Sequence, residues 1–343
     1  MSTEALSDRE IRVLEAIVQS YVETAEPVGS RTIARRFGLA VSPATIRNAM
    51  SDLEDKGYLF HPHTSAGRVP TDRAYRLYVD ALMEFSKVSV RERDAIRSGL
   101  EGDGTSVVNA VLRRAAEVLG VLTQELGVAV APSIEQAVLE GLDLLAASSD
   151  RMLLVLRLKS GLVRTIFVEV PGTVHPDALA RIAVVLNERL AGLTLREIRQ
   201  SLGERLRDSA SSPAESELLD IFLATGDQIF DLPRDDDILL GHTSVMAEQP
   251  EFKSGERMKE LIELTERRDV LRALIGARSQ ALTITIGGEH GAAPLSNLTL
   301  VTAPYSAGSL AGVIGVIGPT RMPYEKVAAL VEHTSRMVSD LLR

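Results

Sequence analysis

The segment that most limits what this chain can become runs from Gly38 to Thr71, GLAVSPATIRNAMSDLEDKGYLFHPHTSAGRVPT. Val41, Ser42, Pro43 and Ile46 stand at the staple, cap, first-turn and staple-partner positions of a helix, and Gly57 closes it just after Lys56. At about 100° per residue, Ile46, Ala49, Met50 and Leu53 gather on one side, while Ala44, Arg47, Asn48 and Ser51 gather on the other. One face is therefore a core face. The other is small, polar and basic, and the acids Asp52, Glu54 and Asp55 are confined to the C-terminal half. A short strand over Tyr58 to His61, a turn over Thr64 to Gly67 and a return through Arg68 and Val69 then predict a ribbon.

Two helices precede this one. Ser7 and Glu10 form a capping-box pair, with Leu6 and Ile11 as staple. Ile11, Leu14, Ile17, Val18 and Tyr21 make an apolar face that ends before Pro27 and Gly29. The second helix, SRTIARRFG, has Ser30 as expected cap, Ile33 and Phe37 inward and Gly38 as stop. A solvated amphipathic helix in a small bundle would account for the helices alone. The trailing ribbon favours a winged helix-turn-helix, in which the third helix enters the major groove and the ribbon lies along backbone or minor groove.

Charge supports that reading only locally. The chain carries a net charge of −9 and a pI near 5.3. Residues 28–79 nevertheless hold eight Arg or Lys against four Asp or Glu, a local +4 that leaves −13 elsewhere. On chemical grounds Arg47 is suited to bidentate guanine contact, Asn48 to adenine or phosphate, and Ala44 to a thymine methyl. Ser51 completes that flank. Ser42 and Thr45 sit where helix-start amides bind phosphate, and Arg31, Arg35 and Arg68 would add non-specific attraction. His63 is expected in the ribbon contact. Together with His61 it falls short of a metal site, because the chain has no cysteine to complete one. Tyr75, Tyr78, Val79 and Leu82, after a Thr71 cap, have the spacing of a buried stripe rather than of base-stacking residues.

The chain's 343 residues predict two or three domains, and 45% apolar with 25% charged residues is ordinary globular composition. No run approaches the roughly 18 apolar residues of a membrane span. The first ten residues lack a basic-then-apolar leader pattern, and cysteine is absent, so a soluble cytoplasmic protein is expected. From Val88 to Leu126 the pattern is helical, broken at Gly102 to Gly104, and reads as a connector. Strand-like runs follow at GVAVA, QAVLEGLDLLAA, RMLLVLRLK and LVRTIFVEV, then a helix from Pro176 to Leu190. Strands return at ALTITIG, LTLVTAPYS and LAGVIGVIG, and a helix from Pro323 to Leu342 ends the chain. The simplest construction is one antiparallel sheet flanked by helices and interrupted by an insertion holding the polar SASSPAES, the acidic RDDD and helical ESELLDIFLATGDQIF and ERMKELIELTERRDVLRALI.

No serine elbow, phosphate loop or zinc signature appears, and the six histidines, His61, His63, His175, His242, His290 and His333, are scattered. GGEHG reads as a flexible hairpin rather than a phosphate cradle. No enzyme, cofactor or metal is expected.

The blocks PVGSRT, SPATIRN and PHTSAGRVPT, the closing GVIGPTRM with its YEKV helix, and more loosely RTIFVEVPG, LNERLAG and QPEF, resemble the heat-inducible transcription repressor family HrcA. The resemblance departs at Ala49, where the family commonly has an acidic residue, on the inward side of the helix. It implies an α+β multidomain fold: a winged-helix DNA-binding domain over 1–87, a helical connector over 88–126, a GAF-like antiparallel sheet domain over 127–193 and 276–343, and an inserted, mainly helical dimerisation domain over 194–275. It further implies a homodimer that binds an inverted-repeat operator, CIRCE, ahead of heat-shock operons, with the chaperonin GroEL as partner. Two rival readings stay open: a regulator that senses a metabolite in the GAF-like domain, and a chaperone-interaction protein whose basic module merely contacts partners.

Overall fold

A computed structural model describes residues 6–38, 41–63, 67–100, 108–132, 134–148, 150–159, 161, 163–170, 176–207, 213–230, 238–276, 281–291, 295–308 and 310–342. Outside these lie the core of the expected turn at 64–66, the glycine break at 102–104, His175, the first half, 209–212, of the polar stretch SASSPAES, whose second half opens a helix, and the acidic run at 234–237. The fold is α+β with antiparallel sheets. The chain divides into two compact units, the first formed by Met1–Val130, Ile238–Pro304 and Val313–Val338, the second by Ala131–Asp237 with Tyr305–Gly312 and Ser339–Arg343.

The first unit opens with α1 (Asp8–Thr24), α2 (Ser30–Arg36) and α3 (Pro43–Asp55). The Ser7–Glu10 capping box is present on α1, and Ser42 caps α3 ahead of Pro43. On α2 the cap is Gly29, not Ser30, which is the first helical residue and is buried. Gly57 takes φ +77, which lets the chain leave α3 at once. The ribbon is β1 (Leu59–Phe60) paired antiparallel with β2 (Val69–Pro70), and Arg68 bridges Val28 through both backbone groups at 2.9 Å. Gly67 makes that bridge feasible: a Cβ there would stand 2.4 Å from the Val28 backbone. Val13, Leu14, Ile17, Ile33, Ile46, Leu53 and Leu59 form the core of this part, each contributing roughly 1.5–3 kcal/mol by burial. Next comes α4 (Asp72–Leu77), capped by Thr71 and continued by one π-helical turn over Tyr78–Leu82, with Tyr75 and Tyr78 buried as their spacing predicts.

After an extended stretch, α5 (Val90–Leu100) and α6 (Val108–Thr123) lead into β3 (Leu126–Val130). The expected connector over 88–126 is packed where its second half runs. Ala116 of α6 lies so close to β3 that a Cβ on Gly127 would be 1.8 Å from its carbonyl oxygen. The dense apolar face of α6 is buried against this sheet, which gives the helix the cover its composition requires.

The second unit holds β4 (Leu139–Ala146), β5 (Arg151–Leu158), β6 (Val163–Glu169), α7 (Pro176–Leu190), α8 (Leu195–Leu206) and α9 (Pro213–Phe230). Its three strands form a sheet of their own in the order β4-β5-β6. Leu142, Leu144, Met152, Leu154 and Leu156 pack with Leu179, Ile182 and Leu186 on α7 and with Ile198 and Phe222. The register shifts between Leu139 and Gly141, and Asn187 of α7 secures the irregularity by bonding both backbone groups of Leu142.

The chain then returns to the first unit with β7 (Ile238–Leu240), α10 (Gly255–Glu266), α11 (Arg268–Gly276), β8 (Thr283–Ile286), β9 (Leu298–Ala307), β10 (Leu310–Pro319) and α12 (Tyr324–Leu341). The five-stranded sheet runs β7-β3-β10-β9-β8. The expected single sheet with an insert at 194–275 therefore differs from the structure. Only β3 joins the later strands, β4 to β6 pair among themselves, and the division falls at 131 and 238. The segment after β7, residues 243–276, covers one sheet face, where Phe252, Leu261, Leu264 and Leu271 meet Leu126, Val128, Leu300 and Val313. GGEHG is a 3-10 turn over Gly287–His290, not a loose hairpin. Among the described residues no helix is long and apolar enough to cross a membrane.

Candidate nucleic-acid interface

The α3 helix presents the two faces its sequence predicts. Ile46, Ala49, Met50 and Leu53 are at most 4% exposed, whereas Ala44, Arg47, Asn48 and Ser51 all lie on the surface. At its start the Ser42 hydroxyl accepts from the Thr45 amide at 3.1 Å and shares a hydrogen bond with the Thr45 hydroxyl at 2.9 Å. Pro43 adds a fixed φ and no amide. With Pro43 lacking an amide and the Thr45 amide capped, the helix start offers a phosphate oxygen the Ala44 amide and the Ser42 and Thr45 hydroxyls.

Arg31 and Arg35 are exposed on α2, which packs beside α3. His63 is exposed in the ribbon. Arg68 differs from the free cation expected. Its side chain is 14% exposed and holds the Glu54 carboxylate at 2.6 Å, while His61 Nδ1 meets the other oxygen of Glu54 at 3.0 Å. The backbone bridge to Val28 draws Arg68 inward, so its charge offsets the acid on α3 instead of projecting to solvent. This cluster joins residues 14 positions apart, and no local spacing announces it.

Two further contacts stiffen the module. Lys56, at the end of α3, reaches Glu10 at 2.8 Å, and this donor together with Ser7 lowers the Glu10 pKa to about 2 despite burial. Arg73 lies over the Tyr58 ring at 4.4 Å and donates to the Lys56 carbonyl at 2.8 Å. Sequence reasoning passed over Arg73; the only signal was an arginine following a helix cap.

Elsewhere in the first unit a cleft of about 480 Å³ runs along α10, lined by Phe252, Leu261 and Leu264 with Arg257, Glu260 and Arg267 at its rim. Acids and bases alternate there without converging. Among the described residues no group of three or more metal-ligating side chains occurs.

The family model described as HrcA protein C terminal domain matches residues 109–328. The chain is 41% identical to the heat-inducible transcription repressor HrcA of Chlorobium phaeovibrioides, over 97% of this chain and 96% of the relative. It is 37% identical to the protein of the same name in Geobacter sulfurreducens over 98% of both chains. A crystal structure of a hypothetical protein matches 98% of this chain and 99% of its own at 23% identity, with a TM-score of 0.61, a likeness of fold.

Proposed function

The chain belongs to the HrcA family of heat-inducible transcription repressors, and from that premise we propose that it represses by docking the exposed flank of α3 in the major groove of an inverted-repeat operator. Its relatives' class is non-enzymatic, and this protein is read the same way, acting in the cytoplasm by occupying DNA. The observation that carries the reading is the exposure of Ala44, Arg47, Asn48 and Ser51 opposite a buried face. Arg47 reads guanine, Asn48 adenine or phosphate, and Ala44 a thymine methyl, while Ser42, Thr45, Arg31 and Arg35 hold the backbone. The helices and ribbon act as a winged helix-turn-helix, with His63 on the wing and Arg68 bracing it.

A homodimer suits an operator with two-fold symmetry. The uncovered face of the three-stranded sheet supports one: Leu145, Leu153 and Phe167 stand side by side across β4, β5 and β6, and Phe167 is 66% exposed. That surface favours the unit over 131–237 for the dimerisation role in place of the expected 194–275. The family resemblance supplies CIRCE as operator, the GAF-like character of the five-stranded sheet and the chaperonin GroEL as partner.

A gel shift on the inverted repeat tests the reading. Arg47→Ala should weaken binding by roughly 10- to 100-fold, as expected for one bidentate base contact, and relax discrimination at one base pair. Equal affinity and equal discrimination in wild type and variant would remove α3 from the interface.

A further inference from the structure

Several sequence blocks take no part in the DNA contact: GGEHG, QPEF, GPTRM and the acidic and basic residues of DRAYRLYVD. They converge on the reading module from two sides. Arg76, near the end of α4, grips Glu289 in a fork, Nε to Oε1 at 2.7 Å and Nη2 to Oε2 at 2.5 Å. It also donates to the Ile284 carbonyl at 2.7 Å and to Asp80 at 3.0 Å. Asp72, at the other end of α4, accepts the Gly288 amide at 2.9 Å. The Gly287–His290 turn is shaped for this contact. Gly287 has φ +49, and a Cβ on it would stand 2.1 Å from Asp72 Oδ2.

The second side is the C-terminal end of α1. That helix has no basic residue in its last turn, and its final carbonyls need donors from elsewhere. Arg321, between β10 and α12, supplies one to the Val22 carbonyl at 2.7 Å while forking onto Glu251 at 2.6 and 2.9 Å. Both members of this pair are largely buried, 14% and 16% exposed. Tyr75 of α4 packs against Tyr324 of α12 with ring centres 5.8 Å apart, and the Tyr78 hydroxyl donates to Glu325. Since α3 packs on α1, these contacts govern how α3 is presented.

We propose that Arg76 and Arg321 are positioning residues for DNA reading. The Arg76–Glu289 fork and the Arg321–Val22 bond, with Arg321 itself braced by its fork on Glu251, hold the helix-ribbon module at one angle on the five-stranded sheet, so that in a dimer the reading helices match one half-site separation. The inference rests on the DNA-binding function proposed above. The only covalent path onward from the π-helical turn is the extended stretch Met83–Ser89, which by itself would let the module swivel. A swivelling module still reads one half-site but no longer distinguishes correct from incorrect spacing.

The test compares wild type, Arg76→Ala, the isosteric Glu289→Gln and the swap Arg76→Glu/Glu289→Arg on three DNAs: the inverted repeat, the same repeat with about five base pairs added between half-sites, roughly half a helical turn, and one isolated half-site. Wild type should prefer native spacing strongly. Both single variants should keep half-site affinity within about twofold while their spacing preference falls about tenfold, and the swap should regain part of it. If Arg76→Ala does not fold, Glu289→Gln carries the same comparison. Undiminished spacing preference in folded single variants, or equal loss on the isolated half-site, overturns the positioning role and leaves the DNA reading intact. Failure of wild type to bind any of the three DNAs overturns the DNA-binding function and this inference with it.

Discussion

The protein contains two antiparallel sheets that handle their faces in opposite ways. In the five-stranded sheet β3 is buried at every residue and β10 at all but one, because helices lie on both sides. Leu126, Val128 and Val313 meet α10 and α11, while the Thr299 hydroxyl meets Tyr324 of α12 and Gly127 meets α6. In the three-stranded sheet β6 alternates, with Val163, Thr165, Phe167 and Glu169 outward or partly so and Val168 inward. A sheet covered twice is an interior and tolerates little. A sheet covered once has a free surface, and its apolar residues are available to a partner.

Four substitutions probe that contrast. The largest effect is expected from Gly127→Val in the covered sheet, where the Cβ would stand 1.8 Å from the Ala116 carbonyl. A loss of several kcal/mol, about 3 or more, or failure to fold, should appear in urea unfolding. In contrast, a Cβ on Gly141 in the open sheet would meet only side-chain ends, Arg157 Nη2 at 2.6 Å and Asn187 Oδ1 at 3.1 Å, which can shift, so Gly141→Ala should cost about 1–2 kcal/mol. If the two glycines cost the same, the contrast fails.

Next comes Phe167→Asp on the open face. Unfolding of the monomer should shift by less than about 1 kcal/mol, yet light scattering should show the proposed dimer dissociating at least about tenfold more readily. A dimer of unchanged strength would move the partner surface elsewhere.

The smallest effect concerns Glu125, immediately before β3. Burial holds its pKa well above the usual carboxylate range, against a weaker opposing hydrogen bond from Gln249 at 3.1 Å. The folded state therefore favours the protonated acid. Its contribution to stability is complete below the unfolded pKa of roughly 4.3 and is lost as pH rises towards the folded value. Glu125→Gln should flatten that decline and gain on the order of 1 kcal/mol at neutral pH. A variant with the wild-type pH profile would show that Glu125 does not titrate as described.

Much of the N-terminal helix-ribbon module is legible in sequence because its signals are local. Ser7 with Glu10, Ser42 with Pro43, and Gly57 each act within one helical turn, and the two faces of α3 follow from its period. The strands themselves are also visible. Their partnership is not: RMLLVLRLK and GVIGVIG are similar aliphatic runs, yet one lies in the half-open sheet and the other in the closed one. Period and composition say that a segment wants cover, not which segment supplies it.

The arginines make the same division residue by residue. In sequence Arg47, Arg68, Arg76 and Arg321 are equivalent cations in basic or polar surroundings. Helical phase alone placed Arg47 outward, since its neighbours at three and four residues distance set its face. The fates of the others depended on partners 14, 213 and 299 positions away: Glu54, Glu289 and the Val22 carbonyl. A charge–charge or hydrogen-bond interaction depends on a few ångströms of separation, and for groups so distant along the chain only the completed tertiary structure sets that separation.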